Sequence, residues 1–202
     1  MHAVIFEVLP EPARTHEYLD LAAALRPELE RIDGFLSVER FASERTAGKL
    51  LSFSLWRDEA ALVRWRRHAE HRVVQGRGRA GIFRDYRIRV VEVLGDGADD
   101  SRASVAVLEI GPAAADPAVS AAEEGDGPLA REAFGSIYTP GRRLVLTSWA
   151  DRRGARAWLA RAAAAAGGCR PYLMAVERDY GMFDRAGAPE PDPAAAQPAT
   201  IK

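Results

Sequence analysis

One cysteine, Cys169, leaves no partner for an internal disulfide and excludes a metal site built from several thiolates. The apolar runs are short against the roughly 18 residues that a membrane-spanning helix needs. Residues 1–10 read as a strand and not as a leader, since they carry neither a basic head nor a small-residue cleavage site. Net charge is almost absent, at -1 over 202 residues, which gives no global attraction for nucleic acid or an anionic membrane. Lysine is scarce, two residues against 26 arginines, and this reads as codon bias. What remains is ordinary globular composition, 48% hydrophobic and 28% charged. The expectation is a cytoplasmic protein of one ordinary domain or two small ones.

Near-neutrality hides a local excess. Between Arg64 and Arg89 nine arginines face only Glu70 and Asp85, a net of +7. Charge runs are usually solvated faces; the sharper reading is a rim that attracts anionic ligands.

A repeat organises the chain. Shifted by 93 residues, Asp33-Gly34 falls on Asp126-Gly127, Phe41-Ala-Ser43 on Phe134-Gly-Ser136, and Thr46-Ala-Gly-Lys49 on Thr139-Pro-Gly-Arg142. Trp56 falls on Trp149 and Trp65 on Trp158, so one ungapped register uses all 4 tryptophans. Such self-similarity marks duplicated structural units. Outside this window the copies diverge: the second has less room for a first helix, and Tyr86 is matched to Tyr172 by a shorter offset. The expected layout is a first unit at 1–95, a polar linker at 96–102, a degenerate second copy at 103–183, and a disordered Gly/Ala/Pro-rich tail at 184–202.

Each unit reads as βαββαβ. Ala3–Val8 alternates as a strand, ended by Pro10 and Pro12. Thr15 is placed as N-cap of a helix carrying Tyr18, Leu21, Ala22, Leu25 and Leu29, which Pro27 should kink. Phe35–Ser43 and Lys49–Trp56 are strands around a turn whose second copy has proline second and glycine third. Asp58 caps a second helix with Leu62, Trp65, Ala69 and Val73, broken at Gly76–Gly81, and Arg84–Leu94 is the last strand. This order is the ferredoxin-like split unit, with helices on one sheet face and an apolar face left to bury. The fold class is α+β: tandem ferredoxin-like units closing into a pseudo-dimeric barrel within one chain, with a homodimer as the other way to close it.

The first copy resembles the antibiotic biosynthesis monooxygenase superfamily of dimeric α+β barrels. The resemblance rests on Val4-Ile-Phe-Glu-Val8, Gly34-Phe35, Lys49–Ala60, Trp65, Glu70-His-Arg72, Gly78–Gly81 and Tyr86–Arg89. It covers nearly all of residues 1–95; the second copy shares two strands and both tryptophans. It implies a cofactor-independent monooxygenase acting on a small aromatic or polyketide-like phenol to form a quinone. Other branches are haem-degrading, or are barrels with no known reaction, so a non-catalytic ligand-binding barrel is the alternative. The haem-degrading branch has an asparagine near position 6 and a histidine ten residues after its tryptophan. Here Phe6 and Gln75 stand there, which ranks haem low, and no cofactor is expected.

His71 is the most informative residue, because Ala164 replaces it in the second copy and the repeat therefore folds without it. A histidine near neutral pH is a natural base or proton shuttle. Its bland reading is a half-exposed helix residue. Trp65 reads first as a wedge packing helix on sheet, and Tyr86 as a sheet aromatic; in the oxygenase reading both orient substrate beside His71. Phe6, Phe53 and Trp56 complete the candidate set as pocket wall. His68 and His71, three apart on a helix, are too few ligands to define a metal site. The expected partner is a small apolar or aromatic molecule, with no nucleic acid and no membrane.

Overall fold

The computed structural model describes residues 1–94, 104–111, 127–166 and 168–189. In chain order the elements are β1 (His2–Pro10), α1 (Thr15–Ala24), α2 (Arg26–Glu30), β2 (Phe35–Ser43), β3 (Leu50–Trp56), α3 (Glu59–Arg67), α4 (Ala69–Arg77) and β4 (Phe83–Val93). There follow β5 (Ser104–Ile110), β6 (Ala130–Ser136), β7 (Arg143–Trp149), α5 (Arg152–Ala166) and β8 (Cys169–Gly181). The strands close one barrel in the order β1-β3-β2-β6-β7-β5-β8-β4. The first unit is βαββαβ, with each of its two helical segments in two pieces. The expected linker, the second copy's expected first helix and the end of the tail lie outside the described residues.

Strand alternation builds the barrel directly. On β3, Leu51, Phe53 and Leu55 point inward, and Leu144 and Leu146 do the same on β7. They meet Ala3, Ile5, Phe41 and Phe134, forming one apolar interior shared by both units. The outer face of the first sheet is covered by α1–α3 and that of the second by α5. Both turns of the repeat keep the expected geometry: Gly48 and Gly141 each have φ of 79°, and the amides of Lys49 and Arg142 each return 3.1 Å to the threonine carbonyl that opens the turn.

Two seams join the units. At the first, Phe41 pairs with Ser136 and Ser43 with Phe134, which is the same pair read from either side. The side chains repeat this reciprocity: Ser43 donates to Glu132 and Ser136 to Glu39, both at 2.6 Å. Lys49 bridges Glu132 at 2.6 Å and Glu7 at 2.7 Å, while Arg142 bridges Glu39 at 2.9 Å and Glu109 at 3.2 Å. At the second seam Val91 pairs with Val176 and Val93 with Met174. A self-complementary interface of this kind belongs to a two-fold axis, here within a single chain.

Several expectations need correction. Thr15 is the first residue of α1 and its side chain makes no cap; Asp58 does cap α3, accepting from the Ala61 amide at 2.8 Å. The expected second helix is two helices, because His68 adopts φ -59°, ψ 131° between them; Val73 consequently lies exposed. Tyr86 and Tyr172 are not equivalent. Ile5 faces Phe53 and Arg89 just as Val107 faces Leu146 and Tyr172, so Tyr172 takes the place of Arg89. Their register differs by an odd number of residues, which turns a strand side chain to the opposite face. From the segment expected as tail, Arg185 donates to the Tyr86 hydroxyl at 2.8 Å. Phe53, expected on the pocket wall, is 2% exposed inside the barrel, its ring 5.5 Å from that of Tyr172.

Truncating Phe53→Ala therefore removes barrel core. It is expected to lower unfolding free energy by about 3–5 kcal/mol in urea denaturation. Residues 1–94 expressed alone retain two open seams, and size-exclusion chromatography with light scattering is expected to show dimers or larger species; a stable monomer would refute the dependence of one unit on the other.

Candidate functional site

Between the helices of the first unit and the outer face of its sheet lies a cavity of about 210 Å³. The face of β3 opposite the barrel core supplies Ser52, Ser54 and Trp56, and β1 supplies Val4 and Phe6. Helices α1 to α4 contribute Tyr18, Leu62, Trp65 and His71. Tyr86 and Val90 of β4 close one side. Five of the six residues singled out from sequence thus share one cavity, and Phe53 does not.

Trp56 anchors the wall. Its indole Nε1 donates to Ser54 Oγ at 3.0 Å, and Phe35 meets its ring edge-on at 5.4 Å. The repeat preserves this device, since Trp149 Nε1 donates to Thr147 Oγ1 at 2.8 Å. Phe6 sits in an aromatic cluster with Tyr18, Phe83 and Tyr86, at centroid distances of 6.4, 5.9 and 5.9 Å. Tyr86 is buried; its hydroxyl accepts from Arg185, which leaves the phenolic hydrogen for another acceptor. Burial pushes the Tyr18 hydroxyl up from its ordinary value of 10.0, against the pull of nearby Arg40.

The break at His68 sets the geometry of His71. Because the chain turns there, the His71 ring lies back on Trp65, 4.3 Å away and inclined by 16°. His71 Nδ1 donates to the Trp65 carbonyl at 3.0 Å. With that nitrogen committed, Nε2 carries the lone pair. Burial lowers the His71 pKa to about 4, outweighing the Trp65 carbonyl bond, and His68 adds to the lowering. The ring is therefore neutral at neutral pH.

Among the described residues of the second unit, Ala133 and Ala164 stand where the first has Arg40 and His71. There Val145, Trp149, Trp158, Leu159 and Ala162 pack into a closed cluster on the outer face of the sheet. Trp158 thus does in full what Trp65 does in part. Among the described residues no group of three or more His, Cys, Asp or Glu is placed to hold a metal ion. The cavity does not fit haem: it is small, and Phe6 and Gln75 stand where the haem-degrading pattern needs its asparagine and its histidine ligand.

Sequence reasoning missed Arg40 and Tyr18. Arg40 is 9% exposed and lines the cavity from β2. The signal was available, since Ala133 occupies the corresponding position of the second copy, the same contrast that singled out His71.

No helix among the described residues is long and apolar enough to cross a membrane. The family model described as antibiotic biosynthesis monooxygenase matches residues 1–77. A jasmonate monooxygenase of Pyricularia oryzae is 34% identical over 217 residues, covering 94% of this chain and 97% of that protein. Two solved structures also align: one from Lactobacillus acidophilus NCFM, 10% identical over 88% of this chain and 94% of its own with a TM-score of 0.43, and one from Mycobacterium tuberculosis, 22% identical over 48% of this chain and 98% of its own, also at 0.43. The likeness to the fungal protein spans both units and nearly the whole of each chain, and this chain belongs to the antibiotic biosynthesis monooxygenase family.

Proposed function

We propose that the chain catalyses cofactor-independent oxygenation of a small, largely apolar molecule in the first-unit cavity, with His71 as base. The observation that carries this reading is the His71–Trp65 pair: a neutral imidazole with a committed Nδ1–H, stacked on an indole, on the wall of a cavity that the second unit has filled. A volume of about 210 Å³ falls below the roughly 300–1,000 Å³ of pockets for drug-sized ligands, which points to a small substrate.

Oxygenation without a cofactor needs an electron-rich anion. His71 Nε2 takes a proton from an acidic O–H or C–H of the substrate, and the anion passes one electron to dioxygen. The radical pair joins as a carbon-bound peroxide. Where that carbon also carries hydrogen, loss of water leaves a carbonyl, so a CH2 group and O2 become C=O and H2O. A phenolic substrate of this type yields a quinone. Tyr86 donates its free hydroxyl hydrogen to a substrate oxygen, and Trp65 with Phe6 holds the ring plane. The apolar walls keep water from the anion, which strengthens each of these contacts. Jasmonate, named in the fungal relative, is a carboxylate, and an acidic substrate is the second reading.

His71→Ala is expected to lower kcat by about 10²- to 10⁴-fold, the usual worth of a general base. Oxygen uptake over hydroquinones and anthrones, with haem and flavin omitted, measures it; unchanged turnover in a folded variant would remove this mechanism. The pH profile gives a second check. A ring that titrates near 6.5 when free and near 4 in the folded protein is protonated first in the unfolded chain. Stability is therefore expected to fall as pH drops from 6.5 towards 4, and to be insensitive to this group below that. Activity should persist to the acid side of pH 6 and fail on approach to about 4, and His71→Gln should flatten the stability slope in thermal melts across this interval.

A further inference from the structure

Arg40 enters the cavity from β2, and no carboxylate among the described residues balances its charge. It is 9% exposed, and its Nε has no hydrogen-bond partner. Nη1 donates to the Tyr138 hydroxyl at 3.3 Å, and Tyr18 is a second hydrogen-bonding neighbour. Both neighbours are phenols, which supply no negative charge at neutral pH, and burial pushes the Tyr18 hydroxyl further up. Among the described residues no carboxylate pairs with Arg40. A buried guanidinium left without a counter-ion is costly.

The rest of the cavity carries the same sign. Arg66 and Arg79 also line it, as does Arg178, which is paired with Glu59, and no Asp or Glu is among the lining residues. Four other arginines of the arginine-rich stretch are answered by carboxylates: Arg64 by Asp33, Arg77 by Glu17, Arg87 by Asp179 and Arg89 by Glu7. The cavity lining is thus positive, with no carboxylate in it, in a chain whose net charge is -1. Position 40 also departs from the repeat. Its backbone carbonyl accepts from Ile137 at 3.1 Å, and the Ala133 carbonyl accepts from Glu44 at 3.0 Å, so the two positions are equivalent in backbone while only one bears a cation.

We propose that Arg40 is the anchor for a substrate carboxylate, so that the cavity takes a small apolar monoacid with its carboxylate at Arg40 and its reacting portion against Trp65 and His71. A carboxylate satisfies the open Nε and balances the charge, and the planar guanidinium suits two parallel hydrogen bonds. Arg66 and Arg79 attract the anion to the cavity. Tyr138, from the second unit, holds Arg40 in place, so that unit has a positioning role at a site it does not itself duplicate. This assignment rests on the cavity being the substrate site, but not on His71 being the base.

Calorimetric titration of the full chain at pH 8 tests it with two matched pairs: jasmonate and its methyl ester, and 1-naphthylacetate and its methyl ester. In the native protein at least one acid is expected to bind about ten- to a hundredfold more tightly than its ester, the usual worth of a hydrogen bond to a charged group. Arg40→Met should erase that preference while ester binding persists, which also shows that the cavity is intact. Arg40→Lys, which keeps the charge and loses the fork, should weaken acid binding severalfold and narrow the preference over the ester, and it decides the matter if Arg40→Met does not fold. No preference in the native protein, or a preference undiminished in the folded variants, would overturn the assignment. Because binding is read without turnover, His71→Ala is expected to keep the acid preference. Loss of turnover in that variant with no acid preference in any protein would sink the anchor and leave the base standing; an acid preference with undiminished turnover in His71→Ala would do the reverse.

Discussion

Everything in this molecule depends on closing the sheet at two antiparallel seams. A four-stranded sheet with helices on one face has a bare apolar face and two open edges. Joining β2 to β6 and β4 to β8 removes all four edges at once and turns the two bare faces into one interior. The charged groups at the first seam are arranged about the same axis, each serine reaching the glutamate of the other unit. Burial works against the charge of Glu132, and the hydrogen bonds from Lys49 and Ser43 more than restore it, holding that carboxyl below its ordinary range. The seam is thus both apolar and ion-paired, and each half completes the other.

The symmetry stops at the outer faces. Both units keep a tryptophan on β3 or β7 hydrogen-bonded two residues back, and both keep a tryptophan on the covering helix. In the second unit, small residues on α5 let that helix settle onto the sheet, with Ala155 and Ala162 fully buried. In the first unit the helix breaks at His68, carries larger side chains, and stands off far enough to leave a cavity. The functional difference between the copies is therefore a packing difference, produced by side-chain size and one extended residue.

Sequence made the barrel legible because its determinants are local. Alternation fixed the strands, Gly48 and Gly141 fixed the turns, and the 93-residue register tied the units together. It misled at Phe53, because alternation separates two buried faces without saying which lies in the barrel and which in the cavity. The match of Tyr86 with Tyr172 failed for a related reason: beyond the ungapped window a small slip in register exchanges inside for outside. The break at His68 left no mark, since neither proline nor glycine stands there and only the tertiary contact of His71 with Trp65 gives it a purpose. Arg40 was hidden among 26 arginines, and its isolation becomes visible only when its neighbours in space are known.

Fusion of the two units changes what the barrel can become. A barrel made from two identical chains displays every side chain twice, so any residue that opens a cavity on one side opens it on the other, and any residue that fills one fills both. A covalent pair is free of that constraint, and Ala133 and Ala164 can stand opposite Arg40 and His71. It also frees the site from dilution. Two separate chains part as concentration falls, taking their shared interior with them, whereas here the hydroxyl that steadies Arg40 travels on the same polypeptide as the guanidinium it holds.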